Sequence, residues 1–214
     1  MVLPRIVMMG PPGSGKGTQG VKLAERFDNP HVSSGDILRR ILASNENSEL
    51  ANAVRIIEEG KMVTDEIAGA IVFRELDNVT GFILDGYPRN VRQAELLDIY
   101  LKAQGNRLDA ALYLAVDEEE LMRRLTGRLT CENCGETYHL TLEPPRRAGF
   151  CNNCGSPLIV REDDQPDRIT VRLRLYLERT RPVLDYYQAS GLLRKVDGIG
   201  SQEQVFARCE AALQ

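Results

Sequence analysis

Apolar residues along this chain fall into two rhythms: short continuous runs, and longer stretches with an apolar residue every third or fourth position. Ile6-Val7-Met8-Met9, Phe82-Ile83-Leu84, Ala110 to Val116 and Leu193 to Val196 are runs of the first kind. They are too short for helices and predict strands covered on both faces, with a further short strand starting at His31. The second rhythm predicts the helices. Leu23, Ala24 and Phe27 share one face of a helix that Asp28-Asn29-Pro30 stops. Ile37, Leu38 and Ile41 follow an N-terminal cap at Ser33-Ser34-Gly35-Asp36, and Leu50, Ala53, Val54 and Ile57 lie on a helix running from Ser48 to Gly60. Thr64-Asp65-Glu66 opens the next, with Ile67, Ile71 and Leu76. Asn90 with Gln93, and Asp117 with Glu120, are capping patterns ahead of Ala94, Leu97 and Leu101, and of Leu121, Met122 and Leu125. A long pattern from Ile169 to Tyr187 is expected to bend at Pro182, and Ser201 caps the last helix. Strands alternating with helices predict an α/β fold, a parallel five-stranded sheet with helices on both faces.

Composition narrows the class. With 214 residues and 43% hydrophobic content the chain can bury a sizeable core, and its formal charge is −4. Basic residues occur in pairs (Arg39-Arg40, Arg123-Arg124, Arg146-Arg147) rather than in tracts, so no nucleic-acid partner is expected. No run is long enough for a signal peptide or a membrane span, and the expected compartment is the cytoplasm.

Between the first strand and the first helix stands Gly10-Pro11-Pro12-Gly13-Ser14-Gly15-Lys16-Gly17-Thr18. An ordinary strand–helix turn needs one or two glycines, not four with a lysine between two of them. Such a loop turns its N–H groups toward one point, the helix N-terminus adds partial positive charge, and Lys16 adds a full one. The combination is suited to a polyphosphate. Gly17 occupies the place where Ser or Thr usually follows the lysine, and the hydroxyl comes on Thr18, which leaves open which protein oxygen would touch Mg²⁺. Asp85 ends a strand and is expected near the loop, where a carboxylate can hold Mg²⁺ through its water shell.

Cysteine usage points to a metal. Cys131-Glu132-Asn133-Cys134 and Cys151-Asn152-Asn153-Cys154 are two C-x₂-C turns sixteen residues apart, each followed by glycine. That spacing suits one tetrahedral Cys₄ zinc ion, although iron could occupy the same ligands. Four thiolates leave no open coordination site, so the ion is expected to staple a small flap between Thr126 and Pro166, a segment too short to build its own core. Cys209 shares a helical face with Val205, Phe206 and Leu213 and is read as a buried hydrophobe. Lys16, Arg39, Arg89, Arg124, Arg128, Arg161 and Arg172 stand at the ends or edges of elements, as polyanion ligands would. Arg40, Arg123, Arg146, Arg147 and Arg174 are expected on solvated faces.

Several stretches together identify a resemblance. Residues 10–19, Ser-Ser-Gly-Asp-Ile-Leu-Arg (33–39), Gly-Lys-Met-Val-Thr-Asp-Glu (60–66), Asp-Gly-Tyr-Pro-Arg (85–89) through Gln93, Gly-Arg (127–128), Arg-Glu-Asp-Asp (161–164) and Arg172-Leu173 resemble the adenylate kinase family in its long-lid form with a zinc-bearing lid. The resemblance covers almost the whole chain. It implies a P-loop NTPase-type core (1–32, 63–126 and 165–214), a helical insertion that binds the nucleoside monophosphate (33–62) and a zinc-bearing lid (127–164). It implies reversible transfer of a phosphoryl group from ATP to AMP, giving two ADP, with Mg²⁺ on the nucleotide and a monomeric enzyme. By the same resemblance Gly13, Ser14, Gly15, Lys16, Gly17, Thr18, Arg124, Arg128, Thr137, Tyr138 and Gly200 bind ATP. Ser34, Arg39, Lys61, Met62, Val63, Gly86, Tyr87, Pro88, Arg89, Gln93, Arg161 and Arg172 bind AMP. Lys16, Asp85, Arg89, Arg128, Arg161 and Arg172 serve the transfer itself. Ser34 stands where threonine is common, and Gly200 replaces a side chain. A GTPase-type switch is the rival reading, but no Asn-Lys-x-Asp guanine reader occurs. A zinc-ribbon nucleic-acid module is disfavoured by charge, and a monophosphate kinase of another base preference is the nearest alternative.

Overall fold

A computed structural model describes residues 3–43 and 64–214. The expected helix from Ser48 to Gly60 and the residues Lys61, Met62 and Val63 lie outside the described residues. Five parallel strands form the main sheet: β1 (Arg5–Met9), β2 (His31–Ser33), β3 (Phe82–Asp85), β4 (Ala110–Ala115) and, last in the chain, β8 (Leu193–Asp197). Their spatial order is β2-β3-β1-β4-β8. The chain leaves β1 toward one edge and later crosses to the other, so a crevice opens beyond the carboxyl end of β1, where open α/β sheets bind ligands. Register brings Met8 beside Asp85 and Ser33 beside Asp85, which sets three strand ends on one rim.

The continuous apolar runs are explained by cover on both faces. Val7, Met9, Leu84 and Ala111 face one cluster with α3 (Asp65–Leu76), α4 (Val91–Ala103) and α7 (Pro182–Ala189), while Ile6, Met8, Ile83, Leu112 and Leu114 face a second with α1 (Lys16–Phe27) and α8 (Gln202–Ala212). Neighbours along a strand point to opposite sides, so β1 reads as unbroken hydrophobe. Cys209 is fully buried in the second cluster, and burial pushes its thiol up to about 12 against the opposing Arg208 charge. A third cluster packs Leu121 and Leu125 of α5 (Glu118–Thr126) on Ile169 and Leu173 of α6 (Pro166–Leu175).

Caps follow the expected residues with one difference. Asn90 accepts the Gln93 N–H at 2.8 Å, Asp117 accepts the Glu120 N–H at 2.8 Å, and Ser201 with Gln204 forms a full capping box. At Asn90 and Asp117 the return bond is missing. Gln93 Oε1 instead accepts the Arg89 backbone N–H while its Nε2 donates to Asp65, and Glu120 accepts from the guanidinium groups of Arg123 and Arg124, charge-assisted partners that outcompete the local amide. The helix from Pro166 to Ala189 is also interrupted earlier than expected. A wide π turn over Tyr176–Thr180 precedes Pro182, whose ring clashes with the carbonyl four residues back, so the deformation spreads upstream of the proline.

The flap, foreseen only as a loop-rich segment, carries its own antiparallel sheet in the order β6-β5-β7: β5 (Arg128–Cys131), β6 (Thr137–His139) and β7 (Leu158–Ile159). Strands of two to four residues flanked by Pro, Gly and polar residues leave too little periodicity to read. Leu84 is fully buried on β3, an inner strand of the main sheet. Leu84→Ala is expected to cost about 3 kcal/mol in urea denaturation, through the cavity it leaves among the packed helices.

Candidate active site and metal centre

Helix α1 starts without a side-chain cap and without acidic residues in its first turn; its N-cap is Gly15 at φ 89°. Gly13 at φ 83° and Gly15 hold the left-handed turns that keep the loop open, and a Cβ on Gly13 would sit 2.9 Å from Leu125 Cγ. The first N–H groups of α1 are therefore left to face an anion. Lys16 folds back over the loop, its Nζ donating to the Pro11 carbonyl at 3.2 Å.

Other cations converge on Lys16. Burial lowers its pKa; Asp85 opposes that, and the charges of Arg128, Arg89 and Arg172 add to it. Arg89 is lowered by the desolvating cleft walls, against Asp85, and further by Arg172 and Arg39. Arg161 is lowered by burial and then by Arg128 and Arg39, with Asp163 and Asp164 opposing. In all three, burial and then neighbouring arginines disfavour the charged form, and an arriving polyanion opposes both effects.

Asp85 ends β3 beneath the loop. A Cβ on Gly17 would lie 3.3 Å from its Oδ2, while its Oδ1 is buried without a hydrogen-bond partner. Ser14 Oγ is likewise buried and unpartnered. An orphaned carboxylate oxygen beside a phosphate loop fits a hydrated Mg²⁺, a hard ion that keeps most of its waters.

Each arginine is fixed by a neighbour. Arg89 donates from Nε to the Gly86 carbonyl at 2.8 Å and from its backbone N–H to Gln93 Oε1 at 2.7 Å. Its own carbonyl accepts the Thr180 hydroxyl at 2.9 Å, across the π turn. Arg124 donates to Glu120 Oε1 at 2.7 Å and to the Gly198 carbonyl at 3.0 Å, which holds it over the loop. Arg128 makes a two-nitrogen contact with Asp164, and Arg172 Nη1 reaches the same carboxylate at 2.7 Å. The Asp164 side chain is 0% exposed, so one buried carboxylate joins the lid strand β5 to helix α6. Arg161 Nε donates to Thr130 Oγ1 at 2.9 Å. Arg39, on α2 (Ser34–Ala43), pairs with Asp36 and is half exposed.

The remaining expected nucleotide contacts divide into two kinds. Ser34 is buried, donating to the Gly86 carbonyl at 2.8 Å. Tyr87 is turned into the core, 2% exposed, with its hydroxyl donating to the Gln93 carbonyl. Pro88 is buried beside it. Thr137 pairs with Thr130 in the lid ladder. The Tyr138 hydroxyl points at Cys151 rather than at the cleft. Gly200, at φ 122°, leads directly into the Ser201 cap. The arginines assigned to solvent are there: Arg40 pairs with Glu75, Arg123 with Glu120 and Arg174 with Glu178, while Arg147 stacks on Phe150. Asp164 and Thr180 are the residues that sequence reasoning missed. The first was visible only as part of Arg-Glu-Asp-Asp; the second carried no local signal.

The four cysteines meet. Cys131, Cys134, Cys151 and Cys154 offer sulfurs all within 4.8 Å of one another, with closest pairs at 3.4 and 3.5 Å. A tetrahedral zinc thiolate site sets its sulfurs about 3.8 Å apart, so the cluster matches the ion with a small outward relaxation. Hydrogen bonds from Ser156, then from Asn133, hold Cys154 down at about 5. Cys134 is pushed up to about 12: the Glu136 N–H favours its thiolate, but burial and the three neighbouring sulfurs outweigh it. Four crowded thiols cannot all ionise unless a cation joins them.

Comparison with known proteins gives a single family. The adenylate kinase family model matches residues 8–192. The chain is 45% identical over 213 residues to the adenylate kinase of Thermoanaerobacter pseudethanolicus, covering 98% of this chain and 97% of that one. It is 45% identical over 206 residues to that of Thermotoga maritima, covering 94% and 93%, and 39% identical over 211 residues to that of Syntrophobacter fumaroxidans, covering 97% and 99%.

Replacing Asp164 with Asn leaves Arg128 and Arg172 facing each other without their common anion. Urea denaturation of Asp164→Asn is expected to show a loss on the order of 3 kcal/mol, well beyond that of an exposed ion pair.

Proposed function

The chain belongs to the adenylate kinase family, and from that premise we propose how its residues divide the work of the family reaction, Mg²⁺-dependent transfer of a phosphoryl group between ATP and AMP to give two ADP. ATP lies with its phosphates on Gly13, Ser14, Gly15, Lys16, Gly17 and Thr18, flanked by Arg124, Arg128, the Thr137–Tyr138 backbone and Gly200. AMP lies across the crevice against Ser34, Arg39, Lys61, Met62, Val63, Gly86 to Arg89 and Gln93. The two nucleotides meet where Lys16, Arg89, Arg128, Arg161 and Arg172 converge. The convergence of Lys16, Arg89, Arg128, Arg161 and Arg172 on the rim beside the glycine loop supports this reading, because cations clustered at a helix N-terminus suit the phosphates of two nucleotides placed end to end.

The chemistry needs no proton acceptor. A phosphate oxygen of AMP is already anionic at neutral pH. The chain has two histidines, and neither is placed to act as a base: His31 Nε2 would lie 2.8 Å from a Cβ on Gly20, and His139 bonds the Arg123 carbonyl. Asp85, with its unpartnered Oδ1, would hold nucleotide-bound Mg²⁺ through water, and the ion would supply neutralisation of phosphate charge. Lys16 and the arginines align donor and acceptor and spread the charge of a loose transition state, a fixed arginine being worth ~10³–10⁵ in rate in related systems. Water is excluded by two covers on the core (1–32, 63–126, 165–214): a monophosphate-side insertion (33–62) and a lid (127–164). Support for a lid that moves as one piece comes from its separate sheet and its cysteine cluster.

Zinc bound by Cys131, Cys134, Cys151 and Cys154 serves structure, contributing on the order of 10 kcal/mol or more to a segment with little core of its own. Among the described residues no helix is long and apolar enough to cross a membrane. A monomer in the cytoplasm completes the reading, and sedimentation tests its first half.

Lys16→Met is expected to keep its circular dichroism while losing nearly all ADP formation in a coupled assay. AMP, UMP, CMP and GMP offered with ATP or GTP define base preference; AMP with ATP should dominate, and ATP binding without ADP formation from AMP would overturn the assignment. Stripping the metal is expected to lower the melting temperature far more than turnover at moderate temperature, checked by calorimetry beside the same assay.

A further inference from the structure

The two cysteine knuckles are near twins. In each, the following glycine donates its N–H to the carbonyl of the first cysteine, Gly135 to Cys131 at 3.1 Å and Gly155 to Cys151 at 3.0 Å. In each, the first cysteine donates its own N–H to the carbonyl five residues on, Glu136 at 2.8 Å and Ser156 at 2.9 Å. They differ at one sulfur. Cys151 Sγ lies 3.4 Å from the Tyr138 hydroxyl, and that hydroxyl also accepts the Asn152 N–H at 2.8 Å. An oxygen that has accepted an amide proton turns its own hydrogen toward the remaining neighbour, so Tyr138 donates to sulfur.

Tyr138 does not belong to the knuckle it touches. It stands on β6, just after the first knuckle, paired with Leu129 of β5. Cys151 arrives only after the intervening turn, so a single hydroxyl bridges the two halves of the cluster. We propose that Tyr138 is a positioning residue of the metal centre, holding the second knuckle in register with the first and slowing the loss of bound metal. The inference rests on reading the four cysteines as a metal site. It also links that site to the strand whose backbone is assigned to ATP. Groups that hydrogen-bond to metal ligands orient them, and removing one typically costs 10–100-fold in metal affinity.

The test compares zinc-loaded wild type with Tyr138→Phe, following zinc release to a chromophoric chelator, then recording sulfur-to-metal charge-transfer absorption of the cobalt-substituted proteins. Tyr138→Phe is expected to release zinc about tenfold faster or more and to shift the cobalt band to lower energy, because the sulfur has lost a donor. The metal-stripped forms should melt together. Equal release rates with superimposable cobalt spectra would overturn the proposal. So would a Tyr138→Phe variant destabilised as much without metal as with it, since the ring would then serve packing alone. Wild type that takes up no metal would overturn the metal-centre reading itself, and the proposal with it.

Discussion

Positive charge held against its own repulsion is the constraint on which the molecule depends. Lys16, Arg89 and Arg161 are each lowered by burial and by the charge of neighbouring arginines, around a rim that also carries Asp85. Like charges gathered in this way cost free energy in the empty protein, and the scaffold must supply it. The scaffold is a sheet buried on both faces, whose strand ends cannot shift without disturbing two packed clusters. The strain of the site therefore falls on bonds to neutral acceptors and on a few carboxylates rather than on the core.

Those carboxylates are placed economically. Asp164, wholly buried, takes Arg128 from the lid and Arg172 from α6 at once, so one anion fixes two cations and one inter-segment joint. Glu120 performs the same service for Arg124 at the end of α5. Arg89 is held without an anion: Gly86, Gln93 and Thr180 fix its nitrogen, its amide and its carbonyl. A guanidinium held by neutral acceptors keeps its full charge for a ligand, which a salt-bridged one does not.

The lid solves a different problem. Strands of two to four residues cannot bury enough surface to hold themselves, and the four clustered cysteines are placed where a shared metal ion would tie them together. Tyr138 and His139, neighbours on β6, face opposite demands. One hydroxyl serves the second knuckle, while one imidazole bonds the Arg123 carbonyl at the end of α5. The strand thus spans from the metal cluster to the base of the lid.

Much of this was legible before any coordinates. The glycine loop, the paired C-x₂-C turns, the caps at Asn90, Asp117 and Ser201, and the doubly covered strands are all written within a few residues of themselves, and local chemistry is enough to read them. The reading failed where partners are distant. The hydroxyl of Thr180 meets a carbonyl 91 positions away, and Asp164 meets an arginine 36 positions away. At Gln93 and Glu120 the difference is local instead: the backbone caps form, but the side chains turn to Arg89 and Arg124, each four positions away. The Tyr138 hydroxyl meets the sulfur of Cys151, 13 positions away. Sequence alone determined which chemistry the chain carries and the order of its elements, because those follow from backbone preference and short spacing. Only the tertiary structure decided which cation each carboxylate holds, since that choice depends on which strand ends and helix termini are brought within a few ångströms, and no local pattern encodes such distances.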